Sequence, residues 1–88
     1  MSARSRRSVH ALSAVQRKIM LFFIENQGSI DTPRGISTWI DENIRVVRQA
    51  LEDLVENGFL RAHRTSSTVG YSCALNAKEL KQISSGLG

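Results

Sequence analysis

Arg45, Arg48 and Gln49 stand close together at the start of the stretch from Ile44 to Asn57. A guanidinium can donate two parallel hydrogen bonds to one guanine, a carboxamide can pair in the same two-point way with adenine, and Val46 between them offers methyl surface to a thymine. Together they supply the chemistry for reading base edges in a major groove. A second group, Arg61, His63 and Arg64, runs into the hydroxyl-bearing residues Thr65, Ser66, Ser67 and Thr68, which suits contacts to phosphate and sugar. Arg4, Arg6 and Arg7 form a third, placed where an arm would follow phosphates or enter a minor groove. Arg34, beside Thr32 and Pro33, adds a candidate for holding one phosphate at a helix start. Each group has a plainer reading. The helical set can simply solvate a surface and pair with Glu52 and its neighbours at helical spacing. The hydroxyl run can be a polar turn, and the arginine arm a solubilising tail.

Catalysis has little to work with. His10 and His63 are isolated, no Ser/His/Asp or paired-carboxylate set shares an element, and there is no glycine-rich phosphate loop. The chain reads as a non-enzyme without cofactor or metal. Its one cysteine, Cys73, leaves no internal disulfide and no multi-thiolate zinc site, which fits a reducing compartment. Cys73 falls on the apolar side of an alternating segment and is expected to be a small buried side chain, not a sensor. The apolar run from Ile19 to Ile24 is too short for a bilayer and ends in Glu25 and Asn26, so no membrane association is expected. The expected location is cytoplasmic, at the nucleoid.

The net charge of +4 conceals an uneven distribution: residues 1–24 carry +5, residues 25–58 carry −4 and residues 59–88 carry +3. Attraction to a polyanion must therefore come from the two ends, with the central helix contributing through its first turns. Glu52, Asp53 and Glu56 would repel phosphates if that helix lay lengthwise in a groove, so only an end-on approach suits it. Asp41 and Glu42 also count against nucleic acid, although capping and the helix dipole explain them equally well.

The elements that must position these groups are legible from periodicity and punctuation. Ser13 and Gln16 fit a capping box, starting a helix at Ala14 that Gly28 would stop. Its apolar residues occupy two faces: Val15, Ile19, Phe22 and Phe23 on one, Met20, Leu21 and Ile24 on the other. Ser29 to Asp31 allows no more than a short edge strand. Thr32 and Pro33 open a second helix with Ile36, Trp39 and Ile40 on one face, where Trp39 is expected in the core. Asp41 or Asn43 caps a third helix, whose stripe of Ile44, Val47, Leu51, Leu54 and Val55 is expected to be buried. Asn57 and Gly58 end it with a left-handed residue, and Phe59 and Leu60 restart the chain in extended form. Two alternating segments around Thr65 to Thr68 predict a hairpin, after which Asn76 caps a final helix over 76–86.

The order Val47, Ala50, Leu51, Leu54, Gly58, Phe59, Leu60, Arg61 resembles the recognition helix and first wing strand of bacterial and archaeal winged-helix regulators, the GntR and MarR types above all. The resemblance implies an α+β fold: a winged helix-turn-helix, built as a three-helix bundle with a small antiparallel sheet (the β-hairpin wing) and a short C-terminal helix. Residues 1–9 are then a basic arm and residues 10–88 the domain. It further implies double-stranded DNA as partner and a small transcriptional regulator, complete in this chain, with Arg45, Val46, Arg48, Gln49, Arg34, Arg61, His63, Arg64, Thr65, Ser66 and the arm arginines as contacts. A chain of 88 residues buries a modest core, which favours a homodimer. Its expected interface is Met20, Leu21 and Ile24 of the first helix with Leu80, Ile83 and Leu87 of the last, unless that pair docks within one chain. The competing function is a winged helix used for protein contact, favoured by the acidic middle and the second apolar face.

Overall fold

The order of elements is α1 (Ala14–Glu25), α2 (Pro33–Ile40), α3 (Ile44–Glu56), β1 (Leu60–Arg64), β2 (Val69–Cys73) and α4 (Ala77–Leu87). They are seen in a computed structural model that describes residues 12–87, so the arm with Arg4, Arg6 and Arg7 lies outside the described residues, as does the side chain of Leu87.

Local chemistry sets each boundary. At α1 the Ser13 hydroxyl accepts from the Gln16 amide at 3.2 Å, and the Gln16 side chain accepts from the Ser13 amide at 2.9 Å, completing the capping box. The helix stops at Glu25, earlier than Gly28, because Asn26 takes the C-terminal cap and its side chain donates to the Phe22 carbonyl at 2.8 Å. Thr32 caps α2 by accepting from Gly35 at 3.2 Å, with Pro33 in the first turn, where a missing amide costs nothing. Of the two candidate caps for α3, Asn43 takes the position and accepts from the Arg45 amide at 2.8 Å. Asp41 instead ends α2 in a left-handed conformation at φ 57°.

Beyond α3, Gly58 has φ 85° and donates to Val55, while Phe59 donates to Leu54 at 2.9 Å. This paired closure satisfies two terminal carbonyls and turns the chain back along the helix. Strands β1 and β2 follow as an antiparallel hairpin in register Leu60↔Cys73 through Arg64↔Val69, closed by the Thr65 amide on the Thr68 carbonyl at 2.9 Å. The expected edge strand at Ser29 to Asp31 is reduced to one bridge, Asp31 with Tyr71. Asn76 and Glu79 form a second capping box at the start of α4, at 2.8 and 3.0 Å.

The core lies where α1, α2 and the hairpin meet α3. Val47, Leu51 and Leu54 are fully buried and Ala50 nearly so, packed with Ile19, Phe22 and Phe23 of α1, Ile36 and Ile40 of α2, and Phe59, Leu60 and Tyr71. Ile44 and Val55, expected within the stripe, are only half-buried at its edges. Trp39 is a clear departure. It is 56% exposed, because Ile36 and Ile40 take the inward direction of α2 and leave the indole at the flank, edge-on to Phe22 at 5.0 Å.

The expected dimer face also needs correction. Met20, Leu80 and Ile83 are 0%, 4% and 7% exposed within one chain, because α4 folds back on α1 and covers that side of the helix. Ile24 packs half-buried against the same cluster, and Leu21 stays on the surface. Apart from Leu21, the second apolar face of α1 is thus covered within one chain.

Truncating Leu54 to alanine should cost about 2–5 kcal/mol of unfolding free energy, whereas Leu21→Ala should cost less than about 0.5 kcal/mol. Urea unfolding of both variants checks the pair; equal losses would contradict the assignment of inner and outer faces.

Candidate nucleic-acid interface

Because the α3 stripe is buried, the opposite side of the helix faces solvent with Arg45, Val46, Arg48 and Gln49. Two depressions flank this ridge. On one side Arg45, Val46, Gln49, Ala50 and Asp53 border a groove of about 690 Å³ whose far wall is the first turn of α1, Ser13 to Gln16. On the other, Arg48 meets Arg34 and Thr32 from the start of α2 and Ser67 and Thr68 from the hairpin turn, around a cleft of about 480 Å³. Arginines from two helices and hydroxyl-bearing residues of the turn therefore line one cleft. Both arginines were legible in the sequence. That Ser67 and Thr68, and not Thr65 and Ser66, line the cleft with them was not, since it depends on how the hairpin lies against α2.

The Thr65 hydroxyl is committed to the turn itself: it accepts from the Thr68 amide at 3.1 Å and donates to the Thr68 carbonyl at 3.1 Å. Ser66 is exposed at the tip. Strand alternation divides the remaining wing residues. Leu60, Ala62 and Arg64 share the face toward α3, while Arg61 and His63 share the other, where the His63 ring lies 2.7 Å from the Ser72 hydroxyl. The structure thus brings Arg64 to α3 and leaves Arg61 and His63 on the far side.

Arg64 does not stand alone. Its Nη2 donates to both oxygens of Glu52 at 2.9 and 3.1 Å, and the buried Tyr71 hydroxyl donates to Glu52 Oε2 at 2.5 Å. The Tyr71 hydroxyl, joined by the Arg64 guanidinium and only partly opposed by desolvation, holds the Glu52 carboxyl below the usual carboxylate range. Burial, together with the hydrogen bond to Glu52, pushes the Tyr71 phenol up to about 12. Other acids that look repulsive in the sequence are also partnered. Glu42 pairs with Lys18 of α1 at 2.6 Å, and Asp53 accepts from Gln49 at 3.1 Å. The last contact realises the plainer reading of helical pairing for Gln49.

Cys73 is half-buried, and desolvation raises its thiol above the ordinary value, away from a reactive thiolate. Among the described residues no cluster of three His, Cys, Asp or Glu side chains is placed to hold a metal, and no helix is long and apolar enough to cross a membrane.

Tyr71 is the only tyrosine, so its ionisation can be followed directly by phenolate absorbance. Its folded-state value is raised, so the stability it contributes is complete below about 10 and falls as pH rises from there to about 12. The absorbance midpoint should lie near 12 in the native protein and move down in Glu52→Gln; a native midpoint at 10 would contradict the Tyr71–Glu52 contact.

No protein-family model and no curated protein matches the chain. Solved structures do. A Lactococcus lactis ZitR variant in complex with DNA superposes with TM-score 0.65 at 20% identity, over 85% of this chain and 51% of that one. A fragment of a possible transcriptional regulatory protein from Mycobacterium bovis gives TM-score 0.70 at 19% identity, over 97% and 84%. A homodimeric winged helix-turn-helix DNA-binding domain from the same organism, of a possible ArsR-family regulator, gives 0.64 at 15% identity over 85% and 65%. The chain spans about half the length of ZitR. At these identities the likeness concerns architecture, and with the element order above it establishes that this chain has the winged helix-turn-helix fold, with α2 and α3 as the helix-turn-helix and the β1–β2 hairpin as the wing.

Proposed function

We propose that the chain binds double-stranded DNA sequence-specifically, as a small homodimeric transcriptional regulator. The first half of α3 enters the major groove end-on, presenting Arg45, Val46 and Gln49 to base edges. One backbone phosphate is received in the cleft between Arg34, Arg48, Ser67 and Thr68, and the wing with Arg64 follows the flanking backbone or minor groove. The placing of Arg34 and Arg48, from two helices, on the border of one cleft with Ser67 and Thr68 of the hairpin turn carries this reading. Two exposed cations on the border of one cleft offer a phosphate unlike charge from two helices at once.

Solved neighbours of the same fold include one described in complex with DNA and one described as a homodimer, and both descriptions support the reading. Two copies would place their α3 helices in successive major grooves about one helical turn, roughly 34–36 Å, apart. The dimer contact would use surface beyond Met20, Leu80 and Ile83, which are buried within one chain. Leu21, 42% exposed, is a candidate. Binding needs no cofactor and no catalysis, and the cell compartment that suits it is the cytoplasm. The exposed Trp39 favours a second reading, a winged helix used for protein contact.

Fluorescence anisotropy of a labelled random-sequence duplex, titrated across salt, separates the two. Arg34→Gln and Arg48→Gln should each weaken binding to all sequences alike and lower the log–log salt slope by about one. Weak salt dependence, or binding indifferent to both substitutions, would contradict the DNA reading.

A further inference from the structure

Resting on the DNA-binding reading, we propose that Glu52 is a specificity-determining residue that never touches DNA. Its carboxylate is a fixed counter-charge that competes with phosphate for Arg64, so the wing arginine is withheld from arbitrary duplexes.

The geometry separates the anchor from the exchangeable partner. Glu52 lies one helical turn beyond Arg48, on the flank of α3 that faces the wing, and Tyr71, 2% exposed, donates to its Oε2 from β2. The position of the carboxylate is therefore set by a buried group. Arg64 is the more exposed member: its side chain is 58% exposed and that of Glu52 45%, and a single nitrogen, Nη2, spans both oxygens. This is not the two-nitrogen fork that makes arginine–carboxylate pairs strong, and exposed pairs of this kind are weak enough to exchange. When Arg64 leaves, Tyr71 still satisfies the carboxylate, so departure does not strand a buried charge.

Two consequences follow for binding. In the free protein the charge of Arg64 is offset beside the hairpin turn, leaving Arg34 and Arg48 as the pair that borders the cleft. A duplex then gains Arg64 only by outcompeting Glu52, which requires the close approach that a well-matched α3 interface provides. Glu52 thereby lowers affinity for random sequence more than for a matched site.

The test is a double-mutant cycle on a labelled random-sequence duplex at low salt. Glu52→Gln keeps an oxygen for Tyr71 and removes the charge; it should tighten binding on the order of threefold and steepen the salt slope by about one. In an Arg64→Ala background the same substitution should change little, since the gain acts through Arg64. Glu52→Asp, one methylene shorter, keeps the charge but loses the reach to Arg64; it should show a smaller gain, also lost without Arg64, and serves if Glu52→Gln does not fold by circular dichroism. An equal gain in the Arg64→Ala background would reduce the effect to general charge removal and overturn the proposal, as would unchanged or weakened binding by a folded Glu52 variant. If the wild-type protein itself does not bind, the DNA reading falls and this proposal with it; binding by the wild type without the cycle's coupling sinks the proposal alone.

Discussion

Everything at the candidate interface depends on the burial of one side of α3. Val47, Leu51 and Leu54 are completely enclosed, and rotating the helix by even one residue, about 100°, would bring charged side chains into that core. The rotation is therefore fixed, and with it the direction of every other side chain on the helix. Arg45, Val46 and Gln49 face outward, Arg48 looks toward α2 and the hairpin turn, and Glu52 looks toward the wing. The left-handed turn at Gly58 then sends β1 back along the helix, which is why Arg64, distant in sequence, arrives over Glu52. One packing constraint and one glycine thus place both the candidate interface and the carboxylate beside it.

Electrostatics give that surface its polarity. The central segment is acidic by composition, yet several of its acids are engaged: Glu42 with Lys18, Asp53 with Gln49, and Glu52 with Tyr71 and Arg64. The Lys18–Glu42 pair also ties α1 to the turn between α2 and α3, close to where α3 would meet a groove. Such exposed pairs add little stability, about 0–1 kcal/mol each. With those acids engaged, two exposed arginines, Arg34 and Arg48, remain on the border of one cleft.

Local signals in the sequence translated directly into structure. The box at Ser13, the Asn76 cap, the Thr32–Pro33 start, the Gly58 stop and the alternation on either side of Thr65 to Thr68 are all short-range chemistry, and each appears as expected. Failures came where a residue's fate depends on a distant element. Met20 looked like part of an outer face because periodicity cannot say that α4 returns to cover it. Trp39 looked like core because a tryptophan at helical spacing usually is, but two isoleucines on so short a helix already fill the inward direction. At the site, the types and positions of Arg34, Arg45, Arg48 and Gln49 were legible. The pairing of Arg64 with Glu52 and the sorting of wing residues between two faces required the strand register.

Backbone amide chemical-shift mapping, with unlabelled duplex DNA added to isotope-labelled protein, tests the central claim most directly. DNA binding through helix and wing predicts perturbations concentrated at the start of α2, the first half of α3 and the hairpin turn around Ser67 and Thr68. Perturbations centred on Leu21 and Trp39, or none at a duplex concentration that saturates binding, would contradict it.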